Sequence, residues 1–297
     1  MKPIPSPFPY FGGKRKVASL VWQRFGKVEN YVEPFFGSGA VLLGRPGNDI
    51  GTETINDLDG FVANFWRSIK LSPEATAEYA DNPVNENDLH ARHVWLVKQI
   101  EDLRAKLEGD PDFHDPKIAG YWVWGVACWI GSGFCSGRGP WWTDSDGQLV
   151  HLGNPGRGGD LIPYFNVLSA RLRRVRVASG DWTRVCGPSV TSKHGMTAVF
   201  LDPPYSADRC DDVYRKDSDD VANDVRAWAI ANGRDPLLRI ALCGYEGEHE
   251  MPADWSTLAW NAGEGFGGQA EERSGNGKKE RIWFSPACLG AKQRSLF

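Results

Sequence analysis

Short stretches rich in apolar residues recur along the chain, and most of them end at a glycine, a proline or an acidic residue. Stretches of this length are typical of strands buried in a parallel sheet, and the amphipathic stretches between them are typical of helices. The predicted strands are residues 28–33, 52–56, 175–178, 198–201, 239–243, 256–260 and 280–285, and the helices that flank them include 17–25 and 221–232. This alternation predicts an α/β, Rossmann-like domain.

The pattern changes between residues 71 and 174. Residues 87–108 are polar with heptad-like spacing, which predicts one exposed helix. Residues 121–130 are strongly aromatic, and on a helix Trp122, Val126 and Trp129 would share one face, which favours core packing. The α/β pattern returns at about residue 175, so residues 71–174 are predicted to be an inserted, mainly helical region.

Three glycine-rich stretches, at residues 131–142, 153–159 and 263–279, are predicted to be loops. Loops mounted on a rigid scaffold are common recognition surfaces, and arginine is the commonest reader of guanine edges. The candidates for contact with nucleic acid are Arg138, Trp141, Trp142, Arg157, Lys278 and Lys279. The alternative is that these are surface loops without a recognition role.

Composition narrows the class of protein only slightly. A chain of 297 residues with 41% hydrophobic content can bury a large core, and no stretch reaches the ~20 apolar residues of a membrane span. The first residues lack the apolar core of a signal peptide. The six cysteines show no C-x-x-C spacing, so we interpret them as free thiols in a reducing cytoplasm and expect no metal site. The net charge of −4 argues weakly against a nucleic-acid partner, although Arg171 to Arg176 form a basic run.

Two glycine turns near the N-terminus indicate a ligand-binding edge. The first, FPYFGGK at residues 8–14, ends in Lys14, which could reach an anionic group. The second, PFFGSGA at residues 34–40, follows a predicted strand, and Gly37 and Gly39 would let the backbone approach a ligand. Asp57 ends the next predicted strand, 20 residues after Gly37, and an acid at that spacing commonly binds ribose hydroxyls. Together these features predict an adenosine-type cofactor.

The tetrapeptide Asp202-Pro203-Pro204-Tyr205 follows the apolar run at residues 198–201. Two prolines stiffen the backbone and leave their carbonyl groups free, which predicts a rigid rim at the carboxyl end of a strand. A carboxylate and a proline carbonyl can each accept one hydrogen of an exocyclic amine while Tyr205 stacks on the attached ring. An unpaired adenine or cytosine fits this rim.

The order FPYFGGK, EPFFGSGA, strand-ending acid and DPPY resembles the Dam-type adenine-N6 DNA methyltransferases. The resemblance implies a Rossmann-like class I methyltransferase fold, with a mixed, mostly parallel sheet and helices on both faces. It implies an S-adenosylmethionine-binding catalytic domain at residues 1–70 and 175–297, and a target-recognition region at 71–174. The cofactor-binding residues that it implies are Tyr10, Lys14, Phe35, Gly37, Gly39, Asp57, Asp181 and Asp202; Tyr10 stands where some relatives carry tryptophan.

The implied reaction moves a methyl group from S-adenosylmethionine to N6 of an adenine flipped out of double-stranded DNA. Asp202, Pro203, Pro204 and Tyr205 would be catalytic, without a metal. We expect a cytoplasmic monomer from a prokaryotic cell or a phage, with no membrane partner and a restriction endonuclease as a candidate companion. Three alternatives stay open: methylation of cytosine N4 or of RNA adenine, a non-catalytic DNA-binding protein on the same fold, and a protein-glutamine methyltransferase.

Overall fold

The computed structural model describes residues 3–8, 14–47, 51–129, 134–135, 161–204, 219–260 and 280–290. Within these ranges a seven-stranded sheet consists of β1 (Asn30–Glu33), β2 (Thr52–Asp57), β3 (Val175–Ser179), β4 (Thr197–Leu201), β5 (Leu238–Tyr245), β6 (Ser256–Ala259) and β7 (Glu280–Phe284). The described helices are α1 (Ala18–Phe25), α2 (Ala40–Leu43), α3 (Gly60–Leu71), α4 (Pro73–Ala80), α5 (Glu86–Val97), α6 (Ile100–Gly109), α7 (Pro116–Cys128), α8 (Leu161–Leu172) and α9 (Asp219–Asn232). Short 3₁₀ turns lie at Lys14–Lys16, Trp182–Val185 and Ser192–His194.

The sheet has the order β3-β2-β1-β4-β5-β7-β6. β1 pairs in parallel with both β2 and β4, β3 and β5 extend the parallel part, and β7 runs antiparallel to β5 and β6. The strand order reverses between β1 and β4, and open α/β sheets bind their ligands at the carboxyl ends of strands beside such a reversal. The predicted mixed, mostly parallel, Rossmann-like sheet is confirmed.

Both faces of the sheet are covered, because successive residues of the central strands enter two different hydrophobic clusters. Tyr31 and Phe200 join a cluster with α1, α2 and α3, whereas Val32 and Leu201 join a smaller cluster with α9. All five residues of β4 are buried, as the uninterrupted apolar run predicted. The helices therefore hold the strand ends, and the residues that follow them, in fixed positions.

The helices between residues 73 and 172 pack onto the same core as α3. Phe8 contacts Phe65 of α3 and Trp122 of α7, with ring centroids 5.3 and 4.9 Å apart, and Phe65 also contacts Phe165 of α8. α7 approaches α4 closely at Gly120, where a Cβ atom would lie 2.8 Å from the carbonyl oxygen of Thr76. Helices form the described part of this region, in agreement with its predicted mainly helical character.

Two details of the predicted helices are wrong. The single helix expected over residues 87–108 is two helices, α5 and α6, of which α5 packs against α7 and α6 packs against α3. Trp122 is buried as predicted, and Val126 and Trp129 pack against the same core, but α7 ends at Cys128, so Trp129 lies just beyond the helix, where it also stacks on His93. Among the described helices, none combines the length and apolar character needed to cross a membrane.

Candidate active site

The glycine-rich turn after β1 needs glycine at two positions. Gly37 and Gly39 have φ angles of +47° and +70°, a region that L-amino acids with a side chain rarely adopt. A Cβ atom on Gly39 would also lie 2.6 Å from the ring of Phe36. The indole N–H of Trp66, on α3, donates to the carbonyl oxygen of Gly37 at 2.9 Å. The hydrogen bond from α3 thus holds the turn in place, with its backbone at the carboxyl edge of the sheet.

Asp57 is joined directly to this turn. The backbone N–H of Gly37 donates to Oδ2 of Asp57 at 2.9 Å, and the N–H of Asp59 donates to Oδ1 at 2.9 Å. Burial raises the pKa of Asp57 to about 7, and the nearby charge of Asp59 acts in the same direction, while the N–H donors oppose both. The 20-residue spacing therefore does place the acid beside the glycine turn.

Asp181 and Phe35 lie at the adjacent strand ends. Asp181 follows β3 and is exposed, and its Oδ1 accepts hydrogen bonds from the backbone N–H and the hydroxyl group of Thr183. Phe35 is half-buried, with its ring centroid 6.3 Å from that of Trp182. Asp57 pairs with Ser179 in the register of β2 and β3, so Asp181 lies at the same edge of the sheet as Asp57. The side chains of Asp181 and Phe35 are both partly accessible to solvent there.

Asn56 is a residue of this edge that the sequence analysis missed. Its amide group donates to the carbonyl oxygens of Pro34 and Gly180, at 3.1 and 2.9 Å, so it ties the loop after β1 to the loop after β3. An amide side chain directly before Asp57, at the carboxyl end of a predicted strand, is the signal that could have identified it.

The DPPY rim begins at the end of β4. Pro203 is buried, and 20% of the Asp202 side chain is exposed. The ammonium group of Lys14 lies 2.9 Å from Oδ2 of Asp202 and 3.6 Å from Oε2 of Glu280. Burial by itself lowers the pKa of Lys14, but the opposite charges around it, Asp202 first, outweigh burial and the pKa is raised. Lys14 is therefore an ammonium ion held against the rim.

Two more acidic side chains and a thiol surround this ion pair. Glu280 begins β7, and the antiparallel direction of β7 brings its first residue to the edge where the parallel strands end. The thiol of Cys243, on β5, is buried beside Asp202, and burial raises its pKa. Glu33 ends β1 and accepts a hydrogen bond of 2.7 Å from the hydroxyl group of Tyr31, and burial raises its pKa. Glu280, Cys243 and Glu33 were not among the predicted site residues.

The structure therefore places the predicted residues in two groups. Gly37, Gly39 and Asp57 form one group, and Lys14 joins Asp202 in the other. Several predicted residues lie outside the described ranges, namely Tyr10, Arg138, Trp141, Trp142, Arg157, Tyr205, Lys278 and Lys279. The described part of the chain holds no cluster of three or more histidine, cysteine or acidic side chains arranged for a metal ion.

The sheet order, the antiparallel β7 and the glycine turn beside two strand-ending acids define an α/β protein of the Rossmann-like methyltransferase class. Residues 10–108, about a third of the chain, match the family of D12 class N6 adenine-specific DNA methyltransferases. This match confirms the Dam-type resemblance of the motifs and supports the activity of an adenine-N6 DNA methyltransferase. Among curated proteins, none matches the chain.

The family match bears on the alternatives that the sequence left open. It supports DNA as the substrate and N6 of adenine as the methylated atom, over cytosine N4, RNA or a glutamine side chain. A methyltransferase also needs a methyl donor, and the glycine turn with Asp57 is the described feature suited to an adenosine-containing one.

Proposed function

We propose that this protein transfers the methyl group of S-adenosylmethionine to a flipped adenine held at the rim formed by Asp202 and Pro203. The observation that carries the proposal is the position of Asp202, at the carboxyl end of β4 beside the strand-order reversal, with part of its side chain open to solvent. The cofactor would lie across β1 and β2, where Gly37, Gly39 and Asp57 are found.

The residue types support this chemistry. The exocyclic nitrogen of adenine is a poor nucleophile because its lone pair is delocalised into the ring. If Asp202 and the carbonyl of Pro203 each accept one amino hydrogen, the lone pair becomes available for attack in line. The N–CH3 bond would form as the S–CH3 bond breaks, S-adenosylhomocysteine would leave with the bonding pair, and the methylated nitrogen would lose one proton to solvent. Orientation then supplies much of the rate, and the carboxylate stabilises the positive charge that develops on nitrogen.

The DNA-facing assignments rest on the sequence alone. We propose that residues 71–174 contain the target-recognition region, and that the loops carrying Arg138 and Arg157 contact bases and phosphates. Tyr205 would stack on the flipped base, and Tyr10 would contact the cofactor, as the family resemblance implies. We also propose a monomer, with a restriction endonuclease as a companion in the same cell.

The direct test replaces Asp202. Asp202→Ala is expected to bind S-adenosylmethionine and DNA but to lose methyl transfer by about two or more orders of magnitude, since it removes a group used mainly in the transition state. Transfer of a radiolabelled methyl group to adenine-containing duplexes measures this. Asp254→Ala, which removes an acid from an exposed pair with Arg234, is the matched control. Near-normal turnover of Asp202→Ala would show that Asp202 is not the acceptor for the target amine.

A further inference from the structure

In the part of the chain that the structure describes, the ion cluster behind the rim joins the ammonium group of Lys14 with the carboxylates of Asp202 and Glu280. Lys14 lies between Asp202 and Glu280, and the side chains of Lys14 and Glu280 are only 4% and 5% exposed. Asp202 is the member of this cluster that faces solvent, at 20%. The three residues come from a turn before α1, the end of β4 and the start of β7, so the fold assembles the cluster from distant parts of the chain.

Stability alone does not explain Glu280. Removing a second carboxylate from water is costly, and a buried ion pair is weak evidence of a stabilising role. Lys14 already has its closest partner in Asp202, at 2.9 Å, whereas the distance to Glu280 is 3.6 Å, within range for charge compensation but longer than a normal hydrogen bond. Glu280 thus offsets the charge of Lys14 without taking the ammonium group away from Asp202.

The charge balance matters during the reaction. Positive charge develops on the amine nitrogen as it accepts the methyl group, and that nitrogen would be hydrogen-bonded to Asp202. Without Glu280, the ammonium of Lys14 would neutralise Asp202 and repel the developing charge. With Glu280, the Lys14–Glu280 pair is neutral as a whole, and the negative charge of Asp202 remains available to the transition state.

We propose that Glu280 is a positioning residue for methyl transfer, acting through Lys14 to keep the group of Lys14, Asp202 and Glu280 net negative until the target amine arrives. This inference rests on the proposed function of Asp202. It also assigns Lys14 to the target side of the site, where the sequence resemblance implied a cofactor contact. The other titratable groups that face the cluster in the described ranges are Cys243 and Glu33.

The test separates the chemical step from binding. Glu280→Gln keeps the size of the side chain but removes its charge, so kcat is expected to fall about tenfold or more, while KM for DNA and Kd for S-adenosylmethionine change little. A structural role would instead alter binding or thermal stability together with kcat. The matched control is Glu246→Gln, which removes an exposed carboxylate paired with Arg281 near the same strands, and which is expected to retain kcat.

A second pair of variants isolates the path through Lys14. Adding Glu280→Gln to Lys14→Gln is expected to change kcat by less than about threefold, because the charge that Glu280 offsets is already gone. This pair also serves if Glu280→Gln alone does not fold. A kcat of Glu280→Gln equal to that of the parent, or an equal loss in both backgrounds, overturns the inference. Absence of methyl transfer in the parent itself would refute the proposed function instead.

Discussion

Lowering the pH should weaken cofactor binding because of one side chain, Asp57. Its pKa is raised from 3.8 to about 7 by burial, so in the free protein the carboxyl group binds a proton below neutral pH. Ribose hydroxyl groups donate hydrogen bonds to an ionised carboxylate, and a protonated carboxyl group offers one acceptor position fewer. Cofactor binding should therefore expel the proton and be favoured as pH rises through about 7.

The size of the effect follows from linkage. If the bound form stays ionised, the apparent Kd is multiplied by the reciprocal of the ionised fraction of free Asp57. That fraction is about a tenth at pH ~6 and about nine tenths at pH ~8 for a pKa of about 7. The Kd for S-adenosylmethionine is thus expected to be about tenfold higher at pH ~6 than at pH ~8.

Isothermal titration calorimetry measures both parts of this prediction. Titrations in two buffers with different ionisation enthalpies give the number of protons released, expected to be about one at pH ~6 and about 0.1 at pH ~8. Asp57→Asn is the matched control, because its amide cannot ionise while its oxygen can still accept from the N–H of Gly37. At pH ~8 this variant should bind S-adenosylmethionine less favourably than the parent, by about 1–3 kcal/mol of binding free energy.

The cofactor's own ionisable groups contribute equally to the pH dependence of Kd in the parent and in Asp57→Asn, so the difference between the two proteins reports Asp57 alone. The parent should show the additional pH dependence and proton release, and Asp57→Asn should lack them. If the two proteins have parallel Kd profiles between pH ~6 and pH ~8, or if no extra proton is released at pH ~6, Asp57 does not hold a titrating carboxylate against the cofactor.

Three further predictions concern packing, the buried charges and DNA recognition. Gly120→Ala is expected to destabilise the protein by about 1–3 kcal/mol in denaturant titrations, because the new Cβ would lie 2.8 Å from the carbonyl oxygen of Thr76. Glu53→Gln is expected to cost about 3–5 kcal/mol of stability in the same assay, because it breaks a buried network with two arginines at 2.9 and 2.6 Å. Arg138→Ala should change which sequences are methylated, losing about 1–3 kcal/mol of discrimination in a binding-site profile. Arg157→Ala should weaken DNA binding evenly and reduce its salt slope by about one phosphate contact.

Matched controls show whether the same kind of substitution at an exposed or open position also lowers stability. Gly109→Ala introduces a methyl group with no atom within 4 Å, and Glu101→Gln removes an exposed partner of Arg104. Neither should lower stability by more than about 0.5 kcal/mol. If Gly120→Ala or Glu53→Gln is no worse than its control, the corresponding contact does not determine stability. If Arg138→Ala and Arg157→Ala share the parent's profile and salt slope, the loops around these residues do not read DNA.

The strands and their terminal acids could be predicted because their signals are local. β4 was predicted at residues 198–201 and extends from Thr197 to Leu201, since a run buried on both faces is apolar at every position. The link between Gly37 and Asp57 follows from the parallel pairing of β1 and β2, because parallel neighbours end at the same edge. The positions of site residues that directly follow neighbouring parallel strands could therefore be predicted from the sequence.

The ion cluster could not be predicted, because no local pattern joins its members. Lys14 and Glu280 meet only because β7 enters the sheet between β5 and β6 in the antiparallel direction, which brings its first residue to the edge where β5 ends. The division of residues 87–108 into α5 and α6 has a similar cause, since it depends on which helices they contact. In both cases tertiary packing, and not local preference, decides the outcome.

The acids at this edge lie in different environments. Glu33 is buried against Tyr31 and has a raised pKa, Asp57 has a pKa of about 7, and Asp202 faces Lys14. The reaction brings positive charge to the edge, first on the sulfonium of the proposed cofactor and then on the adenine nitrogen. Carboxyl groups in these different environments would offset that charge at successive steps, which would account for several acids at an edge where the proposal has only Asp202 contact the target amine.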